Sequence, residues 1–416
     1  MITFNRTKVV ATLGPGSRNK ETLSQLIEAG VDVFRLNFSH GTHEEHEKTI
    51  NTIHEVTEEL NTHVAILADL QGPKIRLGDV EEGTFIKKDD IITLTTNEMI
   101  GNSETLYINY NMFAVDVSLH DKILIDDGKL ELKITDTNGI DEVKAQVIYG
   151  GEVKSKKGVN LPETNISISS LTQKDIRDLD FILSQNINWI ALSFVRTADE
   201  ILRLKGMIQY KNHQAKVVAK IEKPEAIENI DEIIRVTDAI MVARGDLGVE
   251  VPLEKVPIMQ KKIVKKCIAA AKPVIIATQM MESMMENPAP TRAEVTDVAN
   301  AIFDGADALM LSGETAVGKY PVLVVKTFNQ IIKEVEKESS SIYHRNIPPT
   351  QESSTFLSDI LCYTACRMAQ AVEAKAIIGM TKSGYTGFML SSFRPKANIF
   401  VFTESAELLD ALSLVW

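Results

Sequence analysis

Apolar positions along the chain follow two alternating rhythms. Short unbroken apolar runs predict buried strands, and apolar residues recurring every three or four positions predict helices. Lys8–Leu13 is the first strand pattern. Ser17–Ala29 follows as a helix, with Leu23, Leu26 and Ile27 on one face and Gly30 as its stop. Val31–Phe38 and Val64–Leu70 read as the next two strands, separated by a helix over Glu44–Leu60. From Ile75 to Asn160 the helical rhythm fades. Short alternating runs such as Lys129–Ile134 take over, punctuated by Glu82-Gly83, Asp127-Gly128 and Asn138-Gly139. The α/β rhythm resumes at Leu171 and runs to the helix pattern Val322–Glu338, with strand patterns at Trp189–Phe194, Val217–Ala219, Ala239–Val242, Pro273–Thr278 and Ala308–Leu311.

Eight strand-then-helix units, interrupted once after the third strand, predict a (β/α)8 TIM barrel carrying an inserted small β-barrel lid domain. An open doubly wound sheet is the alternative, but no Gly-x-Gly-x-x-Gly opens a helix here. Polar residues and a Pro-Pro pair mark Ser339–Ser354 as a linker, and a C-terminal α/β domain follows. The expected division is 1–70 and 168–345 for the barrel, 71–167 for the lid, and 355–416 for a C-terminal domain that looks incomplete. Leu412, Leu414 and Trp416 at its end are expected to leave exposed apolar surface.

A formal net charge of −12 argues against nucleic acid as a partner. Cys267, Cys362 and Cys366 are too few and too odd in number for a disulfide framework, and read as core thiols. The start, MITFNRTKVVATLG, lacks a signal-like apolar segment, and no run is long enough to span a membrane. Together these predict a cytoplasmic protein with no membrane partner.

The candidate chemistry centres on Lys216–Glu250. Two successive strand patterns there end in Lys220 and Glu222, and in Arg244-Gly245-Asp246. In a barrel, that edge is where active sites are built. Glu222 and Asp246 suit a divalent metal, Lys220 suits charge on a transferring group, and Gly245 lets backbone amides approach an anion. Thr278 ends the next strand, where its hydroxyl can relay a proton or cap a turn. Arg35 near the end of the second strand can grip a phosphoryl group. Asp69, Lys74 and Arg76 flank the way into the lid, and Lys157 lies on the way back, so that closure could bring cations over a nucleotide. Lys154 and Lys156 read as a solvated hinge, and His40, His43 and His46 as a polar helix start rather than a zinc site. Thr381-Lys382-Ser383-Gly384-Tyr385-Thr386 has the form of a phosphate cradle, although Ser and Thr also cap many helices.

These motifs carry a resemblance. RLNFSHG at 35–41, KKGVNLP at 156–162, AKIEKPE at 219–225, MVARGDLGVE at 241–250, ATQMMESM at 277–284, the run from Pro290 to Pro321, and TKSGYT at 381–386 resemble pyruvate kinases. The resemblance implies phosphoryl transfer from phosphoenolpyruvate to ADP, giving pyruvate and ATP, with Mg2+ (or Mn2+) as cofactor. It implies that Arg35, Lys220 and Thr278 are catalytic, and that Arg35, Lys220, Gly245, Asp246 and Thr278 contact phosphoenolpyruvate. Glu222 and Asp246 would hold Mg2+. Asn37, His40, Arg76 and Lys157 would face the nucleotide, and Thr381, Ser383 and Thr386 an effector phosphate. It also implies a homo-oligomer, in the family a tetramer. Where the family usually has Asp-Thr-Lys-Gly-Pro-Glu, this chain has Asp69-Leu70-Gln71-Gly72-Pro73-Lys74. Asn37, Ser39 and Asp69 of the family's K+ site remain, Leu70 removes an oxygen ligand, and Lys74 brings an ammonium. That resembles the K+-independent branch. An inactive paralogue that senses phosphoenolpyruvate or nucleotide is the alternative from another class, and a metal-dependent aldolase or lyase is another enzyme reading.

Overall fold

The computed structural model describes residues 5–338, 342–345, 347–349 and 354–416. Much of the linker expected over Ser339–Ser354 lies outside the described residues. Three strands open the chain: β1 (Lys8–Thr12), β2 (Val33–Asn37) and β3 (Ala65–Asp69). The lid follows with β4 (Phe85–Ile86), β5 (Ile91–Thr95), β6 (Thr105–Tyr107), β7 (Lys122–Ile125), β8 (Leu130–Thr137), β9 (Glu142–Tyr149), β10 (Gly151–Glu152) and β11 (Val159–Asn160). The chain then returns through β12 (Trp189–Leu192), β13 (Lys216–Ile221), β14 (Ala239–Ala243), β15 (Val274–Ala277) and β16 (Ala308–Leu311).

Eight parallel strands close in the order β1-β16-β15-β14-β13-β12-β3-β2. β3 pairs directly with β12, with Ala191 opposite Asp69, so the lid leaves and re-enters between neighbouring strands. Alternation along each strand sorts its side chains. Val9 and Ala11 pack outward under the helices, whereas Val10 joins the interior cluster with Val33, Leu67, Trp189 and Val218. Both faces are apolar, which is why these strands read as continuous apolar runs.

Helix limits follow local capping. The helix expected over Ser17–Ala29 forms as Lys20–Glu28, because the Asn19 side chain accepts from the Thr22 N–H and fixes its start. A Thr42–Glu45 capping box opens the helix His43–Glu59. The expected Leu253–Lys272 helix is divided into a 3-10 turn, Leu253–Lys255, and a helix, Val256–Ala269, with Pro257 near its start.

The lid contains a six-stranded sheet in the order β11-β7-β8-β9-β5-β6, and β4 pairs with β10. The small β-barrel lid domain expected here forms on this sheet, which curves as a half-barrel around its own core, which includes Leu94, Phe113 and Leu132. Asp126, Asp127 and Gly128 take positive φ values and make the turn that the Asp-Gly signal implied.

The C-terminal unit pairs β17 (Ala376–Met380) with β18 (Asn398–Phe402) in parallel and packs helices against them. Its end corrects one expectation. Leu414 is fully buried and belongs to the barrel's interior cluster, and Trp416 is 8% exposed. Trp416 lies under the guanidinium groups of Arg6 and Arg394, so this segment seals the base of the barrel. The Trp189 indole N–H donates to the Ala411 carbonyl at 3.1 Å, and Arg394 pairs with Asp307 at 2.8 Å across the same junction. Cys267, Cys362 and Cys366 are buried free thiols. Among the described residues no helix is long and apolar enough to cross a membrane.

Candidate active site

Strand parity builds the mouth of the barrel. Two residues beyond an inward-facing position, the side chain again faces inward. Val10 leads to Thr12, Val33 to Arg35 and Asn37, Leu67 to Asp69, Ala191 to Ser193, and Val218 to Lys220 and Glu222. The register brings these ends level: Asn37 lies opposite Asp69, and Thr12 opposite Arg35.

The side chains lock together there. Arg35 binds Asp69 through Nε and Nη2, both at 2.7 Å, and donates through Nη1 to Thr12 Oγ1 at 3.0 Å. Lys220 Nζ lies 3.2 Å from Asp69, 3.0 Å from Glu222, and donates to Ser193 Oγ at 2.7 Å. Ser193 in turn donates to the Leu70 carbonyl at 2.7 Å. Asp69 and Glu222 are each 1% exposed. Burial pushes the Asp69 carboxyl up, but Lys220 and Arg35 outweigh it and hold Asp69 below the ordinary carboxylate range. Burial would lower Lys220, but Asp69 and Glu222 overcome it, so the ammonium stays charged. Burial raises Glu222, and Asp246 adds to the rise against the pull of Lys220.

Thr278, just beyond β15, sits on left-handed backbone with φ +70°, followed by Gln279 at +54°. Phe194, just beyond β12, is also left-handed at +54°, and its N–H donates to Glu222 at 2.7 Å. Non-glycine residues held this way store strain and cluster at functional sites. Thr278 Oγ1 accepts from the Gly245 N–H at 2.7 Å and donates to its neighbour's carbonyl, Ala277 O, at 2.6 Å. A Cβ on Gly245 would stand 3.3 Å from Thr278 Oγ1, tighter than most such contacts, so glycine leaves this hydroxyl room. Arg244 pins the loop by pairing with Asp297 at 2.7 Å and donating to Thr278 O at 2.8 Å.

Asp246 lines the cleft between barrel and lid, together with Lys74, Asn160, Lys223 and Glu250. Among the described residues its carboxylate has no hydrogen bond or ion pair. Arg76 and Lys157 meet at the hinge, where Arg76 bridges to Gly158 and the Leu77 N–H donates to Lys157 O. Lys157 pairs with Asp126 of the lid at 2.8 Å. No contact joins Arg76 or Lys157 to the Arg35–Lys220 cluster among the described residues. His40 is exposed and accepts through its carbonyl from His46, while Asn37 Oδ1 accepts from the Ser39 N–H at 3.1 Å. Lys74 has no carboxylate partner among the described residues, and Asp69 is already held by Arg35 and Lys220. His43 is committed to Asp178 at 2.8 Å, and the His46 ring stacks on Phe38. Thr381 and Ser383 cap the start of the helix Tyr385–Ser392, accepting from the N–H groups of Gly384 and Tyr385. The Thr386 methyl packs near Gly379.

Sequence reasoning missed Thr12 and Ser193, although parity from Val10 and Ala191 could have found both. It also missed the buried Lys223–Glu250 pair at 2.8 Å, to which Asn160 of the lid donates at 2.8 Å. That pair ties the lid's return strand to the barrel, and no local pattern announces it.

The models for the pyruvate kinase barrel domain and the pyruvate kinase alpha/beta domain match residues 4–325 and 359–416. The pyruvate kinase of Geobacillus stearothermophilus is 44% identical over 421 residues, covering 99% of this chain and 70% of that protein. That of Staphylococcus aureus (strain MRSA252) is 42% identical over 416 residues, covering 99% and 71%. The crystal structure of a pyruvate kinase from Cryptosporidium parvum superposes with a TM-score of 0.91 at 35% identity, over 99% of this chain and 85% of that one.

Proposed function

The chain belongs to the pyruvate kinase family and transfers the phosphoryl group of phosphoenolpyruvate to ADP, giving pyruvate and ATP, and from that premise we propose how its residues divide the work. Enzymes of this family generally use Mg2+ and K+. The observation that carries the assignment is Lys220, held charged between Asp69 and Glu222 at the barrel mouth.

Arg35 and Lys220 grip the phosphoryl group, with Asp69 fixing the guanidinium plane and Ser193 the ammonium. Lys220 stabilises charge on the phosphoryl oxygens as they leave the enol oxygen. Glu222 and Asp246 fit a divalent cation. Glu222 stands buried at the barrel mouth, and Asp246 lines the adjoining cleft with no hydrogen bond or ion pair of its own among the described residues, which leaves carboxylate oxygens for a cation. These two carboxylates would hold Mg2+ or Mn2+, which would supply Lewis-acid stabilisation of negative charge at the site. The Gly245 N–H holds Thr278 Oγ1 in place, and the absence of a side chain at Gly245 leaves the substrate carboxylate room to approach the start of this helix. Thr278 Oγ1 gives up its bond to Ala277 O and passes its proton toward the methylene carbon of the enolate, then recovers one from water.

Asn37, His40, Arg76 and Lys157 take the nucleotide, the last two swinging in as the hinge closes and Lys157 exchanging Asp126 for phosphate. We place the barrel in 1–70 and 168–345, the lid in 71–167 and the C-terminal domain in 355–416. The setting we assign is a cytoplasmic homo-oligomer. Thr381, Ser383 and Thr386 remain our effector-phosphate candidates, on the strength of the hydroxyls gathered at one helix start.

Lys74 replaces the K+ requirement in this reading, because its ammonium sits beside the hinge without a carboxylate to neutralise it. Pyruvate formation with Mg2+ is expected to be equal in Na+ and K+ buffers. Lys74→Glu is expected to lose roughly a hundredfold in Na+ and recover in K+, the lower end for removing one preorganised charge. Activity of the unmodified chain only in K+ would overturn this role for Lys74 and leave the kinase intact. No activity in either buffer would overturn the division of labour itself.

A further inference from the structure

Beside the barrel mouth stands a buried ion pair with no part in the division of labour given above. Lys223 Nζ donates to Glu250 Oε1 at 2.8 Å, and the two residues are 6% and 4% exposed. The same oxygen accepts from Asn160 Nδ2 of β11 at 2.8 Å. Apolar residues of equal size in place of such a pair are often neutral or stabilising, so stability by itself does not account for it.

The position of the pair does. Lys223 follows Glu222 directly, just beyond β13. Glu250 lies one turn beyond Asp246 on the helix Arg244–Glu250, and residues four apart share a helix face. Both line the cleft between barrel and lid, as does Lys223. Each candidate metal carboxylate therefore shares a short stretch of backbone with one member of the pair. Lys223 and Glu250 hold these two stretches together, and Asn160 adds the lid as a third.

The lid side is equally direct. Asn160 lies three residues beyond Lys157. There the outgoing and returning segments of the lid are bound into a two-chain stalk. Arg76 bridges to Gly158, the Leu77 N–H donates to Lys157 O, and the Val159 N–H donates to Ile75 O, the last two at 2.9 Å. A stalk tied in this way turns as one piece, so the point where it meets the barrel sets the direction of Arg76 and Lys157. Farther along, Arg196 donates to the carbonyls of Ile166 and Ile168 and is itself held by Glu200 at 3.0 Å. That clamp fixes the end of the return path to the helix Ala198–Tyr210, whereas the joint at Glu250 ties the stalk to the elements that carry Glu222 and Asp246.

We propose that Glu250 is a positioning residue for phosphoryl transfer: the Asn160–Glu250–Lys223 joint is the pivot on which the lid closes, and it couples the stance of Arg76 and Lys157 to the spacing of Glu222 and Asp246. This rests on the assignment of Arg76 and Lys157 to the nucleotide. An amide donating to a carboxylate is strengthened by the charge but brings no second ion, so it holds the lid without locking it.

Steady-state kinetics with each substrate varied in turn test the joint. Asn160→Ala removes the lid's share and keeps the ion pair. It is expected to lower kcat/KM for ADP roughly tenfold, the lower end for one hydrogen bond to a charged group, while KM for phosphoenolpyruvate stays within about twofold. Its urea midpoint by tryptophan fluorescence is expected to be unchanged, since Trp189 and Trp416 report on the base of the barrel. Asn160→Asp is expected to cost more, because it sets two carboxylates against each other. Combining it with Glu250→Gln exchanges donor and acceptor at constant net charge, and is expected to recover activity relative to Asn160→Asp alone. Lys157→Ala tests the underlying reading separately and is expected to raise KM for ADP. No effect of Lys157→Ala on ADP would overturn the nucleotide assignment and the joint with it. A raised KM there, with Asn160→Ala within about twofold of the unmodified chain, would overturn the joint alone. Equal losses for both substrates, or no recovery in the exchanged pair, would leave Glu250 a structural role only and overturn the proposal too.

Discussion

Lys220→Ala is expected to lower kcat by roughly a thousandfold, about 4 kcal/mol of transition-state stabilisation, the upper end for one preorganised charge in a dry site. The substitution does more than delete a donor. Asp69 keeps Arg35, but Glu222 loses the ammonium 3.0 Å away and retains Asp246 as a neighbour. With its carboxyl already raised by burial and by Asp246, Glu222 should then hold a proton to still higher pH. The Mg2+ concentration needed for half-maximal activity should therefore rise, and the residual activity should shift toward alkaline pH. Lys220→Arg should restore the carboxylate pairing but not the rate, because a planar fork cannot take the place of a compact ammonium. Steady-state pyruvate formation across Mg2+ concentration and pH measures all three effects. A kcat for Lys220→Ala within tenfold of the unmodified chain would remove Lys220 from the reaction.

Arg394→Ala is expected to destabilise the junction between the barrel and the C-terminal unit by about 3 kcal/mol, the lower end for breaking a buried pair. Arg394 is 1% exposed and Asp307 is 3% exposed, so the carboxylate left behind cannot recover its hydration. Two backbone donors stay with it, the N–H groups of Val274 at 3.0 Å and Trp416 at 3.3 Å, which limit the loss. The Trp416 ring would also lose the guanidinium stacked over it. The chain has two tryptophans, and both lie at this junction, so their fluorescence reports on it directly. In urea, the first fluorescence transition should move to lower denaturant in Arg394→Ala. Adding Asp307→Asn should recover part of the loss, since it removes the unpaired charge. An unchanged midpoint would show that apolar packing of Leu414 and Trp416 carries this junction without the ion pair.

The sequence by itself determined the eight βα units, the inserted all-β segment, and which strand ends bring charged side chains to the barrel mouth. Those features are local. A buried parallel strand is a short apolar run, a helix repeats every three to four residues, and parity decides whether Lys220 or Ile221 enters the lumen. Lys220, Glu222, Arg35 and Asp69 were legible because a charge two residues beyond an inward apolar position has few other reasons to be there. Only the tertiary structure decided how these ends meet. The pairing of β3 with β12 brings Asp69 beside Ser193 and Lys220 across more than a hundred residues, and no local period encodes that distance. It also curved the lid sheet as a half-barrel and joined Asn160 to Glu250. And it covered Leu414 and Trp416, which read as exposed in a chain scanned residue by residue. Their burial depends on the hollow base of the barrel and on an arginine held by an aspartate 87 positions earlier, a contact that exists only once both units have folded.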